Sequence, residues 1–160
     1  MSRFEEGSTM QARMNIVKPA AAGYQAMLAL ESYVNGTGLP QSTLELVRLR
    51  VSQINGCAYC VNMHAADAKK AGETDQRLWS VAAWREAPYY TDEERAALAL
   101  AEAATRIADN PAGVPDDVWS DAADHYDEES LAGLVMAIAA INAWNRISVT
   151  VRNTPAAAAS

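Results

Sequence analysis

Two cysteines, two histidines and a single phenylalanine are found among 160 residues. A disulfide-rich secreted framework needs more thiols than that, so packing must hold the fold. Glycine is scarce, at eight residues, and no run of alternating strand residues bounded by hairpin turns is present, which argues against a sandwich or barrel. Basic charge is short as well. Thirteen Lys and Arg against twenty Asp and Glu leave a net charge of −7, no basic cluster offsets it, and nucleic acid is therefore not an expected partner. No apolar stretch follows a basic start behind Met1–Glu6, as an export signal requires. The longest apolar run, Leu131–Ile141, is too short to span a bilayer and leads into Asn142. The expectation is a cytoplasmic protein away from any membrane. In that reducing setting, two cysteines separated by two residues are catalytic or metal-binding more often than structural.

What is present favours helices. Half of the residues are hydrophobic and a fifth are charged, enough for one core in one domain. Alanine is abundant, and alanine is the residue least costly to hold in a helix. Pro19 suits the first position of a helix running to about Val34, ended by Asn35-Gly36-Thr37-Gly38. Pro40 opens a second, in which Leu44, Val47, Val51 and Ile54 form one apolar stripe and Asn55-Gly56 is the break. A third is expected over 57–70 with Gly72 just beyond, and a fourth over 74–86, stopped before Pro88. Thr91 and Glu94 make a capping box for a helix to about Ala108. Pro115-Asp116-Asp117 starts a short acidic helix, and Asp127 or a neighbour caps a long apolar one reaching about Val149. The reading is an all-α single domain of about seven helices over 16–150, with an N-terminal arm at 1–15 and a flexible tail at 151–160. Trp79, Trp84, Trp119 and Trp144 are expected in the core rather than at an interface.

Chemistry concentrates in Gly56-Cys57-Ala58-Tyr59-Cys60-Val61-Asn62-Met63-His64. At about 100° per residue, Cys57, Cys60 and His64 fall within an arc of roughly 60°. Val61, Ala68 and Ala71 continue that stripe, while Asn62, Lys69 and Lys70 lie opposite. Two thiols and an imidazole therefore share the apolar side of one helix. Both thiols sit in the first turn, where unpaired N–H groups favour a thiolate, and His64 can take a proton from one of them or hydrogen-bond its anion. Peroxide would oxidise one sulfur to a sulfenic acid, its neighbour would condense with it as a disulfide, and an external reductant would restore the dithiol. Three other readings stand beside this one. The cysteines and histidine can be core packing, the dithiol can serve redox sensing or disulfide exchange with little turnover, or Cys57, Cys60 and His64 can bind zinc. Zinc lacks an evident fourth ligand, because His125 lies far along in an acidic segment. Haem attachment is excluded by Val61, which stands where a histidine would have to follow the second cysteine. A thioredoxin fold is excluded by the missing βαβ context.

The stretch from Glu45 to His64, a Glu twelve positions ahead of Cys-x-x-Cys-x-x-x-His, resembles the core motif of AhpD-like alkylhydroperoxidases in the carboxymuconolactone decarboxylase superfamily. The likeness continues through Asp67–Gly72, Trp84-Arg85-Glu86, Glu93–Thr105 and Ile141–Arg146, and so spans about residues 15–150. The resemblance implies a helical AhpD-like fold and a thiol peroxidase that needs no cofactor and no metal. It also implies Cys60 as the peroxidatic cysteine, Cys57 as the resolving one, and Glu45 in a proton relay with His64. Expected partners are a small hydroperoxide, an external dithiol reductant of thioredoxin-like or lipoyl type, and further copies of the chain in a trimer or hexamer. Residue types alone give Glu45 a plainer reading, an exposed ion pair with Arg48 three positions on. One position departs from the family pattern. The second residue between the cysteines is Tyr59 where well-known members carry a relay histidine. Phenols hold their proton at neutral pH, so Tyr59 implies a slower relay, with its hydroxyl left to donate a hydrogen bond to a thiolate or peroxide oxygen.

Overall fold

The computed structural model describes residues 10–156, so the first part of the expected arm and the last four residues of the expected tail lie outside the described residues. Among the described residues there are seven α-helices and no strand: α1 Ala21–Asn35, α2 Gln41–Asn55, α3 Ala58–Lys70, α4 Asp75–Ser80, α5 Asp92–Thr105, α6 Asp116–His125 and α7 Glu128–Val151. The all-α reading holds.

Local chemistry explains most of the boundaries. Thr91 Oγ1 accepts from the Glu94 N–H at 3.2 Å while Glu94 Oε2 accepts from the Thr91 N–H at 2.9 Å, the reciprocal box expected for α5. Asp127 Oδ1 accepts from the Ser130 N–H at 2.8 Å and caps α7. Gly56, at φ +68°, ends α2 in the left-handed conformation that glycine adopts without strain. Its neighbour Cys57 donates its N–H back to Ser52 O at 3.0 Å and begins α3, so the two helices fold tightly onto one another.

Three boundaries differ from expectation. Pro19 lies in a turn ahead of α1, which starts at Ala21. The expected helix over 74–86 is regular only to Ser80 and tightens into a 3-10 turn at Val81–Ala83. There Val81 and Trp84 turn into the core, and Arg95 takes the carbonyls of Trp84, Arg85 and Ala87 that a longer helix would have used. α5 stops at Thr105, and Ile107–Asp109 forms a second 3-10 turn.

α2 is the axis of the molecule. One side, with Leu44, Val47 and Val51, packs with Val34, Leu100, Leu134, Ile138 and Ile141. The opposite side, with Leu46 and Leu49, packs with Val81, Trp84, Tyr90 and Leu98. A helix enclosed on both sides must pair its polar groups internally. Ser52 accepts from Asn145 Nδ2 at 3.0 Å, and Asn55 donates to Asn142 and Asn145 at 2.9 Å each, which ties α2 to the middle of α7. The Ile141–Arg146 motif is thus spent on joining these two helices. α7 is longer than the apolar run read in the sequence, and by length and composition alone it could cross a membrane. Here Leu131, Leu134, Ala137, Ile138 and Ile141 pack it into the core.

The four tryptophans divide. Trp84 is buried and Trp144 packs half-buried against the main core, but Trp79 is 72 % exposed and Trp119 is 46 % exposed, against the expectation that all four are internal. α4 and α6 are short amphipathic helices on the outside of the bundle, and the indoles of these two residues lie on their outer faces.

Candidate active site

The turn at Gly56 delivers Cys57 as the cap of α3, with Cys60 in the first turn and His64 one turn further. All three are buried. Cys57 Sγ accepts from the Cys60 N–H at 3.3 Å, and the two residues, with Cα atoms 5.4 Å apart, are joined as a disulfide. The expected stripe continues to Ala68, which is buried, and not to Ala71, which lies past the last turn and is exposed; Asn62, Lys69 and Lys70 face outward.

Glu45 overturns the plain reading of its position. It is 3 % exposed, and the Arg48 beside it is buried too, so the pair is internal. Glu45 Oε2 lies 2.9 Å from His64 Nδ1, while Oε1 accepts from Arg48 Nη1 and Gln41 Nε2, both at 2.8 Å. Burial pushes the Glu45 carboxyl up, yet the hydrogen bond and charge of His64, with Arg48 beside them, outweigh it and leave the group below its ordinary range. An ionised carboxylate only accepts, so Nδ1 of His64 carries a proton and donates it to Glu45. Nε2 is the ring nitrogen that Glu45 does not engage.

The second shared partner is one that sequence reasoning missed. Arg48 Nη2 donates to Glu31 Oε2 at 2.8 Å and to Asn35 Oδ1 at 2.9 Å, both from the α1 end of the chain. Glu31 Oε1 accepts in turn from Trp144 Nε1 at 3.0 Å, and Tyr24 meets Trp144 edge-on at 5.3 Å. No local pattern marks Glu31, because its partners lie 17 and 113 positions away.

Tyr24, Glu31 and Trp144 of this network also border a cavity of about 500 Å³. Tyr59, Cys60, Met63 and His64 line it from α3, Tyr24, Leu28 and Glu31 from α1, and Trp144, Ile147 and Ser148 from α7. Residues 12 and 14–17 close one side, where Arg13 donates its N–H to Val151 O at 2.8 Å and its guanidinium to Thr150 O at 3.0 Å. Cys60 is among the lining residues and Cys57, equally buried, is not. Tyr59 borders the cavity half-buried. Among the described residues no three His, Cys, Asp or Glu side chains are grouped to hold a metal ion. His125 lies at the end of α6, where its Nδ1 is 2.8 Å from Asp121 O.

The arrangement brings a paired set of sulfurs and a carboxylate-held imidazole to one sheltered space, the residue types from which a nucleophilic sulfur, its base and a resolving sulfur can be drawn.

The carboxymuconolactone decarboxylase family model matches residues 20–103. YdfG of Bacillus subtilis, an uncharacterised protein, is 42 % identical over 92 % of this chain and 99 % of its own length. An Agrobacterium tumefaciens protein of unknown function, a candidate AhpD-type antioxidant-defence protein, is 38 % identical and superposes with a TM-score of 0.86 over 92 % of this chain and 100 % of that one. A peroxidase-related protein with an AhpD core from Ralstonia eutropha has the same fold, with a TM-score of 0.73 at 20 % identity over 88 % of this chain and 74 % of that one.

Proposed function

Because the chain belongs to the carboxymuconolactone decarboxylase family, in its AhpD-like branch, we propose that it is a thiol-dependent peroxidase cycling between a Cys57/Cys60 dithiol and a disulfide. The observation that carries this is the placement of Cys60 on the cavity, in the first turn of α3, beside a His64 whose Nδ1 is held by Glu45.

His64 Nε2 takes the Cys60 proton, and the α3 N-terminus stabilises the resulting thiolate. The thiolate attacks one oxygen of a hydroperoxide, the O–O bond breaks, and the alkoxide leaves as an alcohol with the proton held by His64. Cys60 is then a sulfenic acid. The Cys57 sulfur attacks it, an S–S bond forms and water departs. An external dithiol, thioredoxin-like or lipoyl, returns two electrons by thiol–disulfide exchange. No metal or cofactor enters these steps. A cycle that depends on such a donor suits a reducing compartment, and the cytoplasm is the proposed location. Assembly into a trimer or hexamer is also proposed; Met14, Val17, Leu28 and Met63, exposed around the cavity, are the apolar surface that further copies would cover.

Intact-mass measurement tests the cycle. Reduced protein given one equivalent of organic hydroperoxide should lose two hydrogens, Cys57→Ser should not, and Cys60→Ser should consume no peroxide. Stopped-flow oxidation no faster than that of glutathione would replace this reading with that of a disulfide-exchange protein.

A further inference from the structure

Arg48 is bound at both ends. Nη1 donates to Glu45 and Nη2 to Glu31, so one buried cation lies between two carboxylates from different helices. Its side chain is 5 % exposed, which leaves little water to screen its charge. Glu31 also borders the cavity and holds the Trp144 indole on its other oxygen. A single side chain of α1 thereby reaches the relay and the cavity wall together.

We propose that Glu31 is a positioning residue of this site, which holds the far end of Arg48, draws that cation's charge away from the Glu45–His64 pair, and so sets how readily Cys60 gives up its proton. The inference rests on the reading of Cys60 as the reacting thiol. Among the described residues, the charged and titratable groups around it are Cys57, Tyr59 and His64 from α3, Glu45 and Arg48 from α2, and Tyr24 and Glu31 from α1. The α7 residues at the cavity add no charge, and Arg13 of the preceding segment is turned to Thr150 O. In this set Arg48 is the fixed cation and Glu31 the carboxylate opposing it. Neutralising Glu31 leaves more of the Arg48 charge to favour the thiolate. Neutralising Arg48 does the reverse.

The test is the pH dependence of iodoacetamide alkylation at Cys60 in the reduced full-length protein, followed by peptide mass. No peroxide is involved, so a protein without peroxidase turnover would still answer it. Glu31→Gln should move the midpoint down by about half a pH unit, roughly threefold in rate below the midpoint, and Glu31→Asp should leave it in place. Arg48→Met should move it up; should that variant not fold, the Gln and Asp comparison decides alone. An unmoved midpoint in Glu31→Gln, equal shifts in Gln and Asp, or shifts of one sign in Glu31→Gln and Arg48→Met would overturn the proposal, since a purely structural role disturbs each variant irrespective of charge.

Discussion

Glu45 Oε2 lies 2.9 Å from His64 Nδ1, an internal contact between α2 and α3 across nineteen positions of sequence. It fixes the ring's tautomer, since a carboxylate can accept the Nδ1 proton and cannot supply one. Glu45→Gln keeps the size of the side chain and removes its charge, so the imidazolium formed during proton transfer loses its counter-ion. Peroxidase kcat should fall on the order of a hundredfold, within the span of a general base, with KM little changed. A kcat within twofold of the parent would remove Glu45 from the reaction.

Tyr59, between the two cysteines in sequence, borders the cavity at the position where the resemblance implies a relay histidine. A second imidazole exchanges protons near neutral pH, which a phenol does not. Tyr59→His should raise kcat at pH 7 severalfold, read in a coupled assay with excess dithiol donor so that chemistry limits the rate. An unchanged rate would mean that Glu45 and His64 carry the whole proton transfer.

Acid should loosen this fold through its internal carboxylates. Glu45 and Glu102 are both held below their ordinary value of 4.5: burial pushes each up, and stronger contacts pull each down, from His64 and Arg48 at Glu45 and from Arg85, Trp84 and Arg50 at Glu102. A carboxyl depressed on folding adds stability that is present above its unfolded value and is lost as pH falls through its folded one. Thermal midpoints should therefore decline below about pH 4.5, and the decline should be shallower in Glu102→Gln. Equal slopes in parent and variant would exclude Glu102 as a source of the acid sensitivity.

Much of this was legible because it is local. The Thr91–Glu94 box, the Asp127 cap, the Gly56 break and the shared face of Cys57, Cys60 and His64 each need only a few consecutive residues. Glu45 was not legible from residue type, because a charged residue between two leucines is normally at the surface. The environment of α2 reverses that, since Thr43 through Leu49 are all buried and the helix has no outer side there. The resemblance to a known motif supplied Glu45, and nothing supplied Glu31, whose partners come from α2 and α7. Trp79 and Trp119 went wrong for the opposite reason: size suggests the core, while short α4 and α6 lack the depth to bury an indole.

The placement of α1, and with it Glu31, depends on how closely the loop after it approaches α7. Gly133 marks the contact. A Cβ there would stand 2.9 Å from both Cβ and Cγ2 of Thr37, and Thr37 cannot swing aside freely because its Oγ1 donates to Val34 O at 2.7 Å. Alanine would recover about 1 kcal/mol of helix propensity, against overpacking of roughly 1–3 kcal/mol, so the net effect should be a loss. Gly133→Ala should lower Tm by a few degrees, at about 2–4 °C per kcal/mol for a chain of this size. Thr37→Gly costs stability by itself, but in combination it removes the clash, and the double-mutant cycle should show a favourable coupling of about 1 kcal/mol. Strictly additive losses would mean that α7 and the loop shift apart without strain, and that another contact holds α1 against the site.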